Sequence, residues 1–500
     1  MSDHGLPKLE SGAVLTHIGA DNLRALRMPE PAELRRLNLV VGRNGIGKST
    51  FARLFPLLRQ SAERRTREPL LWWDNAGVDF GDFQEAVRHG EQEIVFSFGF
   101  EAPGAPAIPG DAPALLVRSA LVGTGREARV AWAEVVYEGQ HRCKLRFTEA
   151  GELGGIEATL AGVSATYDAT AARNLLGPIK TSRENMFCVA SRASSHTLLP
   201  LTADIFHGRT DVERRAGIVR QFDWRNEDSI VKVLRRQDLK YQNYRPNISA
   251  LNSDKPRLQR VRTACFLDDS TNKLFEASSW VVELSMLCAY AGPNRATPLR
   301  GYRPFSAAVE QIDARGNNMA EFLNALTPQE RQGLNEYLFT VIGTRVFVDP
   351  DGSNLMLRVE LQGKKYNLVD VGFGYSQVLP VIIQLWASSQ RLTNAQKGRA
   401  LASFVIEQPE LHLHPHQQLL LARAFGTAAS QESGPMLIVE THSDHLVGEI
   451  GRMVTRGELP RERVQVLCVE PHAEGGAKIR QATFDEDGYL TNWPVGFLSP

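Results

Sequence analysis

The sequence predicts an α/β fold: a head built from both ends of the chain, a lobe of mixed β-sheet, and a helical insertion between them. Three observations predict it. Short apolar strand-like runs separated by glycine-containing turns fill residues from about 13 to 200. From about 210 to 345 the apolar period becomes helical, and from about 346 strands and helices alternate again. The lobes so delimited are 1–205 (N-terminal), 206–345 (helical insertion) and 346–500 (C-terminal).

In chain order, strands are expected at 37–41, 93–98, 114–117 and 130–137. The first runs straight into Gly42-Arg43-Asn44-Gly45-Ile46-Gly47-Lys48-Ser49, which fits G-x-x-x-x-G-K-[ST], with Thr50 behind it. Glycines let successive backbone N–H groups converge on phosphates, and the following helix adds its positive end. Lys48 is expected to reach the β- and γ-phosphates of ATP, and Ser49 to hold Mg2+. Phe51, Leu54, Phe55 and Leu58 follow at helical spacing, and Pro56 should kink that helix. By composition alone about one chain of this length in fifty would carry such a loop; the strand before it and the helix after it make it a nucleotide site.

Helices are expected at 211–222, 229–242, 279–291 and 319–342, with Pro246, Pro256, Pro293 and Pro298 interrupting any long coiled coil. Further on, Val371-Gly372-Phe373-Gly374-Tyr375-Ser376-Gln377 precedes a helix containing Pro380. Proline suits a first turn, so that helix should start near Ser376, gathering glycines, a hydroxyl and a helix N-terminus into a second anion-binding constellation. The apolar run 401–406 reads as a central parallel strand ending in Glu407-Gln408-Pro409-Glu410. A carboxylate there lies beside the phosphate loop, where Mg2+ needs oxygen, so Ser49 and Glu407 form the expected metal pair. A third strand, 436–439, leads into Glu440-Thr441-His442-Ser443-Asp444-His445, placing His442 within reach of a γ-phosphate.

Composition limits the function classes. The 57 Lys+Arg balance 57 Asp+Glu, which excludes an all-over basic coat for nucleic acid. The N-terminus lacks a basic segment followed by an apolar one, and no apolar run nears the roughly 20 residues that span a bilayer. Five scattered cysteines suit buried thiols in a reducing compartment, so a cytoplasmic location without membrane contact is expected.

Taken together, the phosphate loop, Gly-Phe-Gly-Tyr-Ser-Gln, Glu-Gln-Pro-Glu-Leu-His-Leu-His-Pro and Glu-Thr-His-Ser-Asp-His resemble the motif set of ABC-type ATPases. They are most similar to the RecF/SMC/OLD-like group of bacterial AAA-family ATPases. Phe484-Asp485-Glu486-Asp487-Gly488-Tyr489-Leu490-Thr491-Asn492-Trp493-Pro494 resembles the C-terminal segment of one subgroup. The resemblance covers about 13–100 and 346–500 and is weak across the middle. It implies a P-loop ABC-type head and a head-to-tail homodimer, or a larger homo-oligomer. Each ATP would sit between one chain's phosphate loop and Gly374, Ser376 and Gln377 of the other. It further implies an anti-phage defence role, as in PARIS-like or Septu-like systems, with this chain as sensor and scaffold for a separate nuclease or toxin effector. Two alternatives are a RecF-like DNA-repair ATPase and a self-contained OLD-like nuclease.

The chain departs from the family pattern at Gln408, where a glutamate usually activates the attacking water. An amide orients water but does not take its proton, so slow hydrolysis is expected, with Glu410 a possible substitute base and His442 holding the γ-phosphate. His412, His414 and His416 read as a dimer-contacting loop rather than a metal site, and Asp485-Glu486-Asp487-Gly488 as a hairpin turn rather than a nuclease cluster. Trp72-Trp73 reads as core or interface. In segment 231–262 nine basic side chains face two acidic ones, a net +7, with Tyr241 and Tyr244 among them. That pattern fits DNA, an acidic protein or a solvated helical face equally.

Overall fold

A computed structural model describes residues 5–64, 66–101, 113–124, 127–176, 179–181, 212–219, 221–240, 255–303, 309, 311–390 and 401–493. Among these residues it has the α/β architecture expected, built on three sheets. The first is an antiparallel sheet in the order β2-β1-β4-β5-β6-β7-β8-β9. Its strands are β1 (Val14–Asp21), β2 (Ala32–Glu33), β4 (Glu93–Glu101), β5 (Leu115–Thr124), β6 (Glu127–Tyr137), β7 (His141–Phe147), β8 (Leu153–Leu160) and β9 (Val163–Asp168).

The second sheet is mixed and holds the nucleotide motifs, in the order β10-β14-β15-β3-β16-β17-β18. Here β3 (Leu37–Gly42), β10 (Cys288–Ala291), β14 (Ser403–Glu407), β15 (Met436–Glu440) and β16 (Val464–Pro471) run parallel. β17 (Ala477–Phe484) and β18 (Leu490–Thr491) close it antiparallel. A third, three-stranded sheet contains β11 (Arg345–Asp351), β12 (Asn354–Leu361) and β13 (Lys364–Asn367).

The continuous apolar runs of β3, β14 and β15 follow from burial on both faces. Leu37, Leu39 and Val41 point into one core and Val40 into the other. Phe404, Ile406, Leu437 and Val439 join the first of these cores, whereas Val405 and Ile438 join the second. A strand with two dry faces has no polar alternation to keep. One core lies between the central sheet, the antiparallel sheet and the helices Leu54–Glu63 and Lys255–Met286. The other is filled by the helices Met319–Ala325, Pro328–Ile342, Phe373–Gln390, Pro415–Ser430 and Asp444–Thr455.

The middle of the chain differs from expectation in three ways. Cys288–Ala291, read as the end of a helix, is a fully buried edge strand paired with β14. A short apolar run fits either structure, and the free edge of β14 decides the outcome. Lys255–Met286 forms one helix of 32 residues. Pro256 does not break it because it stands in the first turn, where its missing N–H would bond nothing. The region 319–342 is two helices, separated at Thr327, whose hydroxyl caps the second in a reciprocal bond with Glu330. Trp72 is core and Trp73 is exposed. Cys143, Cys265, Cys288 and Cys468 are buried free thiols, while Cys188 lies outside the described residues. Among the described residues no helix is long and apolar enough to cross a membrane.

Candidate functional site

β3 enters the phosphate loop between its parallel neighbours β15 and β16. Gly45 and Gly47 hold φ of 74° and 118°, conformations that turn the loop back on itself and that side chains resist. Gly42 is small for a different reason: a Cβ there would stand 2.8 Å from the Val469 carbonyl oxygen. Lys48 is buried and its Nζ donates to the Arg43 carbonyl at 2.8 Å. Burial lowers its pKa, against the opposing charges of Glu440 and Glu410. A phosphate oxygen would take the place of that carbonyl as the lysine's partner.

The helix after the loop is broken where Pro56 leads one to look. It runs Lys48–Ala52, yields at Arg53, and resumes as Leu54–Glu63. Pro56 lacks the N–H that would meet the Ala52 carbonyl, so the turn between them is the weak one. From that break the Arg53 side chain reaches the sheet edge. Its Nε and Nη2 each donate to one oxygen of Glu407 at 2.7 Å.

Glu407 and Glu440 end adjacent parallel strands and are register partners. Their surroundings differ. Glu407 accepts from Arg53 and from the Tyr290 hydroxyl at 2.8 Å, and its main-chain carbonyl accepts from Arg295 Nη2 at 3.0 Å. Glu440 accepts from the Ser49 hydroxyl at 3.0 Å, and its buried Oε2 has no partner among the described residues. Desolvation, and after it the neighbouring Glu407 charge, push the Glu440 carboxyl up to about 7. Of the pair expected to share magnesium, therefore, Ser49 meets Glu440 and not Glu407. A hydroxyl, two buried carboxyl groups and an orphaned carboxylate oxygen are a hard-oxygen donor set that fits Mg2+.

Gln408 has φ of 43°, and its N–H donates to the Glu440 carbonyl at 2.8 Å. Pro409 does not turn Glu410 away from the site: Glu410 Oε1 accepts the His442 N–H at 2.7 Å. Burial raises the Glu410 pKa. His442 is exposed at the same edge, its pKa lowered by partial desolvation and by Lys48. The residues Lys48, Ser49, Glu407, Gln408, Glu410 and His442 thus converge, although their sequence separation approaches 400 residues.

The second constellation differs from expectation. The helix begins at Phe373 rather than near Ser376, and Pro380 is accommodated inside it. Ser376 and Gln377 consequently lie buried in its first turns, with Ser376 Oγ donating to the Phe373 carbonyl at 2.7 Å. Gly374 abuts the histidine loop: a Cβ there would stand 3.2 Å from a Leu413 methyl and 3.4 Å from the His412 carbonyl oxygen. Exposed Phe373 meets the His412 ring edge-on at 5.1 Å, and His414 caps the helix Pro415–Ser430. The Asp485–Gly488 segment is the turn between β17 and β18, with Gly488 at φ 77°.

Four functional neighbours escaped the sequence reading: Glu440, Arg53, Tyr290 and Arg295. Glu440 carried the same signal as Glu407, a carboxylate closing an apolar strand. The other three come from a helix break, an unrecognised strand and a loop, and nothing local marks them.

Residues 300–447 match the family model described as AAA ATPase domain. The matched stretch contains the Gly374–Gln377 segment, Glu407–Glu410 and His442. No curated protein matches the chain. The chain is similar to the Smc head domain with an extended coiled coil, bound to the C-terminal domain of ScpA, from Pyrococcus furiosus, at 11% identity and TM-score 0.35, over 94% of this chain and 96% of that one. It is similar to the SMC head domain from Thermotoga maritima at 8% identity and TM-score 0.33, over 93% and 98%. It is also similar to the recombination mediator protein RecF, at 10% identity and TM-score 0.31, over 93% and 98%.

Proposed function

We propose that this chain is a slow, Mg2+-dependent ABC-type ATPase whose ATP-bound form pairs two copies and sets the state of a separate effector. The observation that carries the reading is the convergence of Lys48 and Ser49 with the register-paired Glu407 and Glu440 at one sheet edge. The phosphate loop would hold the ATP phosphates, with Lys48 exchanging its carbonyl partner for them. Ser49, Glu440 and Glu407 would hold Mg2+, which supplies charge neutralisation at the phosphates when bound. Gln408 would orient the attacking water without taking its proton. Glu410, whose Oε1 accepts the His442 N–H and whose pKa burial raises, would be the substitute base. His442 would contact the γ-phosphate.

Because Gly374 and Phe373 stand at an exposed helix start while Ser376 and Gln377 are buried, the bridging contact to a second copy's nucleotide would come from the backbone of that start. The defence role and the nuclease or toxin effector rest on the motif resemblance. Sedimentation tests the pairing. Wild-type protein with MgATP should sediment as a dimer or larger, with ADP as a smaller species, and Lys48→Ala as the smaller species in both. A nucleotide-independent mass would remove the pairing. Native purification with mass spectrometry then tests the effector, which should co-purify in a nucleotide-dependent manner.

A second reading, direct DNA binding in the manner of a repair ATPase, is favoured by the +7 segment 231–262. Lys232, Arg236 and Arg260 are exposed there, but 241–254, with both tyrosines, lie outside the described residues.

A further inference from the structure

A cavity of about 520 Å³ lies beside, not at, the start of the helix Phe373–Gln390. It is bounded by the loop Asn294–Leu299, the turn Arg315–Asn317, and Ser376 and Pro380 on the helix flank. Gly372, Phe373 and Gly374, which head that helix, do not line it. Its volume falls in the range of small-molecule sites.

The lining is chemically lopsided. Among the described residues it contains two arginines, Arg295 and Arg315, and no aspartate or glutamate. Arg295 is only 6% exposed, and its Nε and Nη1 have no hydrogen-bond partner among the described residues. Its remaining nitrogen, Nη2, is spent on the Glu407 main-chain carbonyl. Desolvation lowers its pKa to about 10, with Glu410 and Glu407 opposing. A buried guanidinium lacking acceptors is costly, and an entering oxyanion would supply them. Arg315 is exposed at the rim and, among the described residues, forms no ion pair. Amides of Asn294 and Asn317 and the hydroxyl of Thr297 add polar contacts, while Leu299, Met319 and Leu368 give an apolar wall.

We propose that this cavity binds a phosphate monoester with a compact, partly apolar body, of about nucleoside-monophosphate size, at a site separate from the phosphate loop. The phosphate pairs with Arg295 and Arg315, and the body rests on the Leu299, Met319 and Leu368 side. Through Arg295 the ligand is one hydrogen bond from the strand end that carries Glu407, and through Ser376 it touches the flank of the Phe373–Gln390 helix. Occupancy is therefore positioned to bias the nucleotide site.

Calorimetric titration of the full chain with AMP, and with adenosine as the unphosphorylated control, tests this. AMP should bind wild-type protein and Lys48→Ala alike, and adenosine should bind neither. Arg315→Ala, at an exposed position that folding does not need, should weaken AMP binding about tenfold or more, as loss of a charge-assisted bond implies. No AMP binding at millimolar concentration, a loss in Arg315→Ala below about tenfold, or binding abolished by Lys48→Ala would each overturn the proposal. The Lys48→Ala arm also keeps its outcome independent of whether ATP hydrolysis is found.

Discussion

Two glutamates one strand apart show how residue identity and environment divide roles. Glu407 is neutralised by a bidentate arginine, whereas Glu440 faces a serine hydroxyl and its neighbour's charge. The folded-state pKa of Glu440, about 7, stands above its ordinary 4.5, so the folded protein holds a proton that the unfolded chain releases. This contribution to stability is complete below about pH 4.5 and is lost as pH rises through about 7. Denaturant titrations without nucleotide or metal should therefore show stability declining across that window, and Glu440→Gln should flatten the decline. Gln408→Glu should accelerate ATP turnover by about a hundredfold, the lower range for a positioned general base; an unchanged rate would mean that the amide is not what limits hydrolysis. At this scale the sequence made most of the candidate site legible, since the loop after β3 leads to Lys48 and Ser49, and the ends of β14 and β15 lead to Glu407, Glu410 and His442. It concealed Arg53 and Tyr290 because a partner more than 100 residues away leaves no local pattern.

Elements were legible where burial and period agreed. β3, β14 and β15 are continuous apolar runs bounded by polar strand ends, and both faces of the sheet demand them. The helix Phe373–Gln390 starts earlier than its internal proline implies, because the surrounding apolar packing outweighs the proline's preference for a first turn. Pro380 is held there against Gly316, where even a Cβ would come within 2.8 Å of the proline ring. The β17–β18 hairpin, by contrast, is fixed by close backbone approach. A Cβ on Gly451 would stand 2.5 Å from the Gly488 carbonyl oxygen, and Thr455 Oγ1 donates to the Asp487 carbonyl at 2.8 Å. Gly451→Ala should push the hairpin off the helix Asp444–Thr455 and cost about 1–3 kcal/mol, read from chemical denaturation. An unaltered midpoint would show that the hairpin is not docked.

Over the whole molecule, equal numbers of acidic and basic residues hide an uneven distribution. The basic stretch 231–262 and the cavity around Arg295 and Arg315, which no acid lines among the described residues, are separate anion-facing features of a chain with no net charge. Reversing Lys232, Arg236 and Arg260 to glutamate should weaken any DNA binding and flatten its salt dependence by about three counterions. Unchanged binding would assign that face to solvent or protein. The head itself is assembled from both ends of the chain: the phosphate loop comes from β3, and its acids come from β14 and β15. Steady-state ATP turnover by purified wild-type protein, with and without Mg2+ and beside Lys48→Ala, tests the central claim most directly. The expected result is Mg2+-dependent turnover below about one per second, abolished by Lys48→Ala, consistent with an amide at the usual position of the general base. Turnover at tens per second, or a rate that Lys48→Ala leaves intact, would contradict it.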